Sequence, residues 1–153
     1  MVKEKVLKVV EEIVKAYNFI VKELGITLPS SALEQVLNET SHIAIHELAH
    51  ALIHTVYPEI EKLHDENPSL GECVDEVGGR IVETYISRKV GAFIHSFEEH
   101  VHELEHYTYL KGLRVTAKDL EELYEEVSKA LERNRVKEVI GIIIEKCKEL
   151  TST

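Results

Sequence analysis

The feature that most constrains this chain is the pentad His-Glu-Leu-Ala-His at residues 46–50, which lies in an otherwise apolar segment. Residues four apart lie on the same face of an α-helix, so His46 and His50 can both reach a single metal ion, with Glu47 beside them. A helix that is apolar on nearly all sides is buried, and burying polar side chains is unfavourable unless a partner satisfies them. The pentad therefore predicts a buried helix with a metal site. The alternative is a core helix whose histidines are satisfied by hydrogen bonds alone.

A second pentad of the same form, at residues 102–106, provides a comparison. It lies close to Glu98, Glu99 and His100, and Glu105 occupies a position that is apolar in the first pentad. This composition is typical of a solvated acidic helix face. A secondary metal site and the lining of a substrate cleft are the alternatives.

Length and charge limit the classes of protein that this chain can belong to. Its 153 residues suit a single domain with a substantial core, spanning residues 1–153. The net charge of −10 argues against a nucleic-acid partner, because no basic patch is present to neutralise phosphates, and against an anionic membrane surface. No apolar segment resembles a signal peptide or a membrane span, so we expect a cytoplasmic protein. The many Glu and Lys residues suit a thermophile.

The two cysteines, Cys73 and Cys147, are far apart in the chain. Neither belongs to a CxxC pair, the spacing that is typical of metal-binding or redox-active cysteines. We predict that both are free thiols in the core, where cysteine behaves as a small apolar residue.

Apolar residues at helical spacing predict a mainly α-helical domain of about six or seven helices. The first covers residues 2–24 and stops at Gly25. The pentad helix ends near Tyr57, because Pro58 disfavours helical geometry at the residue before it. Residues 58–71 are predicted to be mainly loop with one turn of helix. The other predicted elements are a short helix opening at Pro29 with a capping box of Ser31 and Glu34, helices at about 71–89, 92–109, 116–134 and 135–150, and a short extended piece at 111–115.

A catalytic metal site needs a third protein ligand, with a fourth position left to water. The segment 72–83 offers Glu72 and Glu76, which lie one helical turn apart, and either could face the metal. Gly78 and Gly79 follow, and a glycine inside a helix costs about 1 kcal/mol relative to alanine. Close packing of this helix against the pentad helix would explain the two glycines. A break between two helices is the alternative.

The pentad, taken together with Asp75, Glu76 and Gly79, resembles the gluzincin zinc metallopeptidases. In that family the third ligand is a glutamate on a downstream helix, often preceded by Asn or Asp and followed three residues later by a small residue. The resemblance covers about residues 43–83, and the short chain is similar to the minigluzincins, the small single-domain members. It implies one zincin-like domain. It also implies one zinc ion bound by His46, His50 and Glu76.

The resemblance further implies zinc-dependent hydrolysis of a peptide or protein substrate, with Glu47 as the general base. This chain departs from the family at Arg80, where thermolysin-like members place an Asp that orients a zinc histidine. Glu83 is the candidate to take over that role in the outer shell of the metal. The resemblance leaves the group that stabilises the oxyanion open; the candidates are Tyr107, Tyr109, His95, His106 and Arg80.

Two other classes of protein fit parts of the sequence. A carboxylate-bridged di-metal helical bundle needs Glu-x-x-His on two helices and a lone Glu on two others. A non-catalytic helical protein that binds zinc is the second alternative. The candidate bundle ligands are Glu47 with His50, Glu99 with His102 or Glu103 with His106, and Glu12 and Glu76 as the lone partners.

Overall fold

The computed structural model describes residues 2–32 and 44–152, with side chains from residue 10 onward. Helices follow one another along these two ranges. Two π-helical segments, Phe19–Glu23 and Cys73–Val77, extend one helix and join two others. The described ranges contain no strand, so the predicted mainly helical single domain is confirmed and the extended piece at 111–115 is not formed. The α-helices are α1 (Val2–Asn18), α2 (Ala44–Val56), α3 (Ile60–Glu66), α4 (Pro68–Glu72), α5 (Gly78–Val90), α6 (Phe97–Leu104), α7 (Ala117–Glu132) and α8 (Val136–Thr151). None of the helices described is both long and apolar enough to cross a membrane.

The region predicted as mainly loop, residues 58–71, is instead largely helical. It holds α3 and most of α4, and the side chain of Asn67 caps α4 by accepting a hydrogen bond from the Leu70 backbone N–H. Pro68 occupies the first turn of that helix, where the missing N–H has no effect on helical hydrogen bonding. Burial of Ile60 anchors α3 in the core. The proline was therefore a start signal for a helix rather than a loop signal.

The helix predicted at 92–109 is shorter in the structure. Gly91 ends α5 in the left-handed conformation, with φ of 72°, and α6 then begins only after Ser96. Ser96 and Glu99 form a reciprocal capping box, as Thr116 and Asp119 do at the start of α7. The predicted start of a helix at residue 116 is therefore confirmed, with Thr116 as its cap. Glu34, the partner of Ser31 in the other predicted capping box, lies outside the described residues.

The core is assembled around α2, as its apolar sequence predicts. Leu48, Ala49, Leu52 and Ile53 are completely buried. The main partner of this helix is α5, and α1 and α8 pack on other sides of it. Because α2 carries the first pentad, the two histidines are held on a helix whose position is set by packing on several sides.

Cys73 and Cys147 form a disulfide, so the prediction of two free thiols is wrong. Both residues are buried as expected, but their Cα atoms lie only 5.8 Å apart, which a separation of 74 residues in sequence did not reveal. The pair meets because the second π-helical segment packs against α8. The cross-link ties to α8 the segment that carries Asp75 and Glu76.

The two glycines at the start of α5 lie where helices approach closely, which confirms the packing explanation for them. A Cβ atom on Gly79 would lie 3.0 Å from Cε1 and 3.2 Å from Nε2 of His50. A Cβ atom on Gly78 would lie 3.1 Å from Ile143 Cδ1 and 3.3 Å from Ile53 Cδ1. The chain is continuously helical through this point, so the glycines do not mark a break.

We expect Gly79→Ala to destabilise the protein and to weaken metal binding. The added methyl group would crowd the His50 ring, which Asp75 holds in place, and overpacking typically costs about 1–3 kcal/mol. Gly141→Ala is the matched control, because no atom lies within 4 Å of its Cβ position on α8. That control should gain up to about 1 kcal/mol from helix propensity. Urea denaturation and zinc titration measure both effects, and equal behaviour of the two variants would contradict the crowding.

Candidate metal centre

The structure brings His46, His50 and Glu76 together, with their ligand atoms all within 4.8 Å of one another. The Nε2 atoms of the two histidines are 3.0 Å apart, and His50 Nε2 lies 3.6 Å from Glu76 Oε2. Bonds of about 2.0–2.1 Å at a tetrahedral angle place neighbouring ligand atoms about 3.3 Å apart. The two measured distances lie on either side of that value. The three side chains can therefore hold one metal ion.

One oxygen of Glu76 supports this fit independently. Glu76 Oε2 is buried, and within the described part of the chain it has no hydrogen-bond partner. Leaving a buried polar group without a hydrogen-bond partner costs about 1–3 kcal/mol, and the cost is larger for a charged carboxylate. A cation facing the two imidazoles would satisfy it.

Each histidine of the triad is oriented by a carboxylate on its other ring nitrogen. The Nδ1–H of His46 donates to Glu83 Oε1 at 2.6 Å, and the Nδ1–H of His50 donates to Asp75 Oδ1 at 2.7 Å. These bonds leave the two Nε2 atoms facing each other. Carboxylates in this position fix the ring orientation and increase the basicity of histidine ligands. Glu83 thus contacts a histidine of the triad, as the candidate for the orienting role would.

Charge around His50 is dominated by its two acidic neighbours. Burial by itself would lower the pKa of His50, but the hydrogen bond to Asp75 and the nearby Glu76 carboxylate outweigh it and raise the pKa to about 10. Burial by itself would raise the pKa of Asp75, whereas its bond to His50 lowers that pKa to about 2. The two carboxylates therefore favour positive charge beside them, which a proton on His50 or a bound cation can supply.

The π-helical segment explains why two successive acidic residues reach the same histidine. In a π-helix the turn is wider than in an α-helix, so consecutive side chains are rotated less from each other. Asp75 contacts Nδ1 of His50, and Glu76 lies near its Nε2. Glu72, the other candidate ligand, lies outside the triad. Its Oε2 accepts a hydrogen bond from the Tyr109 backbone N–H at 2.9 Å.

Glu47 lies on α2 between the two histidines of the triad, and it is exposed whereas both imidazoles are partly buried. It is not one of the three residues whose ligand atoms cluster. Its carboxylate is therefore accessible to solvent and is not needed to complete the cluster of ligand atoms.

A cavity of about 490 Å³ lies between His46 of the triad and α6. It extends from His46, Arg80 and Glu83 to His100 and His102. These two residues and His106 are called the second histidine cluster. The structure thus supports both interpretations of that cluster. His102, Glu103, Glu105 and His106 are exposed, as a solvated acidic face requires, yet part of α6 lines a cleft beside the first pentad.

His100 differs from the rest of its cluster because it is buried. Arg80 Nη1 donates to His100 Nδ1 at 3.1 Å, so that nitrogen carries a lone pair rather than a proton. Burial lowers the pKa of His100 to about 4, and the positive charge of Arg80 acts in the same direction against the opposing effect of Glu83. His100 is therefore a neutral anchor for Arg80. The amphipathic pattern of α6 is the sequence signal that could have indicated the burial of His100.

Among the five groups considered for stabilising an oxyanion, Tyr107 lies close enough to Glu76 of the triad for the two side chains to influence each other's pKa. Burial and the Glu76 carboxylate raise the pKa of Tyr107, so the hydroxyl keeps its proton at neutral pH. Tyr109, in contrast, is 51% exposed.

Sequence reasoning did not identify the contacts of Asp75 with His54 and His64. His54 Nε2 lies 3.1 Å from Asp75 Oδ1, and His64 Nε2 lies 3.4 Å from Asp75 Oδ2. His54 could have been found from the sequence, because it continues the four-residue spacing of His46 and His50. No local signal points to His64, which lies on a different helix.

No family model, curated protein or solved structure matches the chain.

Proposed function

We propose that this chain is a zinc-dependent peptide hydrolase of the gluzincin type, similar to the minigluzincins. The observation that carries the proposal is the cluster of ligand atoms of His46, His50 and Glu76, within 4.8 Å of one another, together with a buried Glu76 oxygen that has no hydrogen-bond partner among the described residues. Each of those imidazoles is oriented by a carboxylate, as metal-bound histidines usually are. In the alternative, a core helix whose histidines are satisfied by hydrogen bonds alone, this buried Glu76 oxygen would remain unsatisfied.

The ligand set favours zinc and a catalytic role. Two histidines and one glutamate, with room for water in the fourth position, are typical of catalytic rather than structural zinc sites. Zinc bound there would lower the pKa of a water molecule to about 7 and so supply a nucleophile near neutrality. Partial exposure of the triad leaves it open to a substrate.

Glu47 is the general base in this proposal. Its exposed carboxylate is next in sequence to His46, on the same helix as both histidine ligands. It would accept the proton of the attacking water and deliver it to the leaving nitrogen. It has no part in holding the metal, so the two functions can be separated by substitution.

Tyr107 is the donor that we assign to the developing negative charge on the substrate carbonyl. Burial and the neighbouring Glu76 carboxylate raise its pKa, so the hydroxyl stays protonated, and a neutral donor close to the reacting carbonyl stabilises the oxyanion. The cavity between His46 and α6 offers space for part of the substrate. Because the described residues form no sheet edge, helix side chains would have to replace the strand pairing that gluzincins use to hold substrates.

The di-metal bundle has less support. Its additional ligands on α6 and in the turn that follows are Glu99 with His102 or Glu103 with His106, and all four residues are exposed. None of them belongs to a metal-capable group within the described residues. Both metal-capable groups instead lie on α2 and the second π-helical segment.

Metal analysis of the purified protein tests the proposal against the bundle. We expect zinc, and we expect that a chelator abolishes peptide hydrolysis and that added zinc restores it. A pair of iron or manganese ions would favour the di-metal bundle. Zinc without any peptide cleavage, measured on a mixed peptide library, would leave a non-catalytic zinc protein.

A further inference from the structure

Arg80 carries an unsatisfied donor beside the triad. Its Nε is buried and has no hydrogen-bond partner among the described residues, as is also true of Glu76 Oε2. Buried polar atoms without a partner are rare in folded proteins, and each one calls for an explanation. A bound cation accounts for the Glu76 oxygen. Arg80 needs the opposite, an acceptor, because a guanidinium has N–H donors only.

The other contacts of Arg80 leave one edge of its guanidinium for that acceptor. Nη1 donates to His100 Nδ1 at 3.1 Å. Nε and Nη2 form a second edge of the planar group, and a carboxylate can bind such an edge with two parallel hydrogen bonds. The charge of Arg80 lowers the pKa of Glu83, but the carboxylate of Glu83 is hydrogen-bonded to His46. The Nε edge therefore suits a carboxylate from another molecule.

Arg80 is placed where a molecule bound at the triad could reach it. It lies one helical turn after Glu76 and one turn before Glu83. Together with His46 it lines the cavity of about 490 Å³ between the triad and α6. Arg80 is only partly buried, so the guanidinium is open to a ligand in that cavity.

We propose that Arg80 binds a carboxylate of the substrate, so that this chain cleaves peptides with a free carboxylate close to the scissile bond. The inference rests on the proposed hydrolase and names its substrate class. The C-terminal carboxylate of a peptide and the side chain of Asp or Glu carry the same group. Because His46 and Arg80 line one cavity, a carboxylate bound to Arg80 would hold a neighbouring peptide bond near the zinc ligands.

The surroundings of Arg80 hold it in position before any ligand binds. His100, its acceptor, is 2% exposed, and His100 Nε2 lies 3.5 Å from Thr84 Oγ1. The Thr84 hydroxyl in turn donates to the backbone carbonyl of Arg80 at 2.8 Å. A side chain that is already ordered loses little conformational freedom on binding, which favours affinity.

Three glutamates of α6 also line the cavity, and their charge opposes a carboxylate ligand. Glu98, Glu99 and Glu103 are all exposed, so water and salt screen them. A partly buried guanidinium acts through a lower dielectric and is screened less. Glu99 is also hydrogen-bonded to His95 at 3.1 Å. Among the described residues that line the cavity, Arg80 is the one Lys or Arg side chain, so it is where a carboxylate would bind.

Binding of matched peptides tests this role of Arg80. The purified Glu47→Gln variant, in which the proposed hydrolysis is arrested, is titrated calorimetrically with acetyl-Ala-Ala-Phe-Ala and with its C-terminal amide. A second pair consists of the amides that end in Glu and in Gln. We expect a carboxylate peptide to bind about 10–100-fold more tightly than its matched neutral peptide, the range for hydrogen bonds to a charged group. A preference confined to the first pair identifies a C-terminal carboxylate, and one confined to the second pair identifies an acidic side chain.

The R80Q substitution, added to the same background, should remove the preference, because Gln has neither the charge nor the paired donors of Arg. R88Q is the matched control: it makes the same change two turns later on α5, at an exposed residue outside the cavity, and should keep the preference. Thermal melts followed by circular dichroism verify that both variants fold. If R80Q does not fold, R80K replaces it, since Lys keeps the charge but cannot offer two parallel donors.

Three results would overturn the role of Arg80. The first is equal affinity within both peptide pairs. The second is a preference that persists without Arg80, since the carboxylate would then bind elsewhere, for example to the metal. The third is a preference that R88Q removes as fully as R80Q does, since overall charge would then decide. Hydrolysis is measured separately with Glu47 intact: a preference without cleavage keeps the carboxylate site and refutes the hydrolase, whereas cleavage without a preference does the reverse.

Discussion

Glu76→Ala is expected to weaken zinc binding at the triad by more than about 100-fold, because changes in the outer shell of a zinc site alone cost roughly 10–100-fold. Glu76 supplies the buried oxygen that lacks another partner, and its removal leaves only His46 and His50 as protein ligands. Two imidazoles do not form a stable zinc site. Competition with a chromogenic zinc chelator measures the affinity.

Glu72→Ala is the matched control for this experiment. Glu72 lies one turn earlier in the same helical stretch, but its carboxylate accepts a hydrogen bond from the Tyr109 backbone N–H. Losing that bond should cost about 0.5–1.5 kcal/mol of stability and leave zinc affinity nearly unchanged. If zinc affinity collapses in Glu72→Ala and survives in Glu76→Ala, then Glu72 is the ligand. In that case the arrangement at the π-helical segment described above is incorrect.

Glu47→Gln is expected to abolish nearly all peptide hydrolysis while the fold and zinc affinity are retained. The substitution keeps the size and hydrogen-bonding capacity of an exposed side chain but removes the base. Removal of a general base typically lowers the rate by about 10²–10⁴. The measurement compares kcat/KM for a cleaved peptide with zinc content in the same preparations.

Glu121→Gln is a suitable control, because it makes the same chemical change at an exposed position on α7, away from the triad. That variant should cleave peptides at the wild-type rate. The decisive adverse result is a Glu47→Gln protein as fast as the wild type. The pentad would then hold metal for structure only, and the enzyme proposal would fail while the metal triad remained.

Local periodicity explains most of what could be predicted here. The four-residue spacing of His46 and His50 depends only on helix geometry, and the surrounding apolar residues predicted correctly that α2 is buried. The Gly78–Gly79 pair carried packing information because glycine inside a helix is unfavourable without a reason. Thr116 indicated where α7 begins, because threonine is a preferred residue at the N-cap of a helix. Each of these signals is contained within about one or two helical turns.

Features that depend on how distant segments meet were not available from such signals. The Cys73–Cys147 disulfide joins residues 74 apart in sequence, and only the packing of the π-helical segment against α8 brings them together. The contact between Asp75 and His64 has the same origin, because α3 is placed over the π-helical segment by tertiary packing.

The sequence by itself determined the helical class, the buried pentad helix and the short set of residues able to bind a metal. Only the tertiary structure brought Glu76 rather than Glu72 next to the two histidines, because a π-helical turn changes the rotation between successive residues and no residue type specifies that turn. It also decided that Glu83 and Asp75 orient the two histidines, since those bonds join α2 to other helices. Helical spacing is a property of one segment, whereas a metal site is a property of several segments packed together.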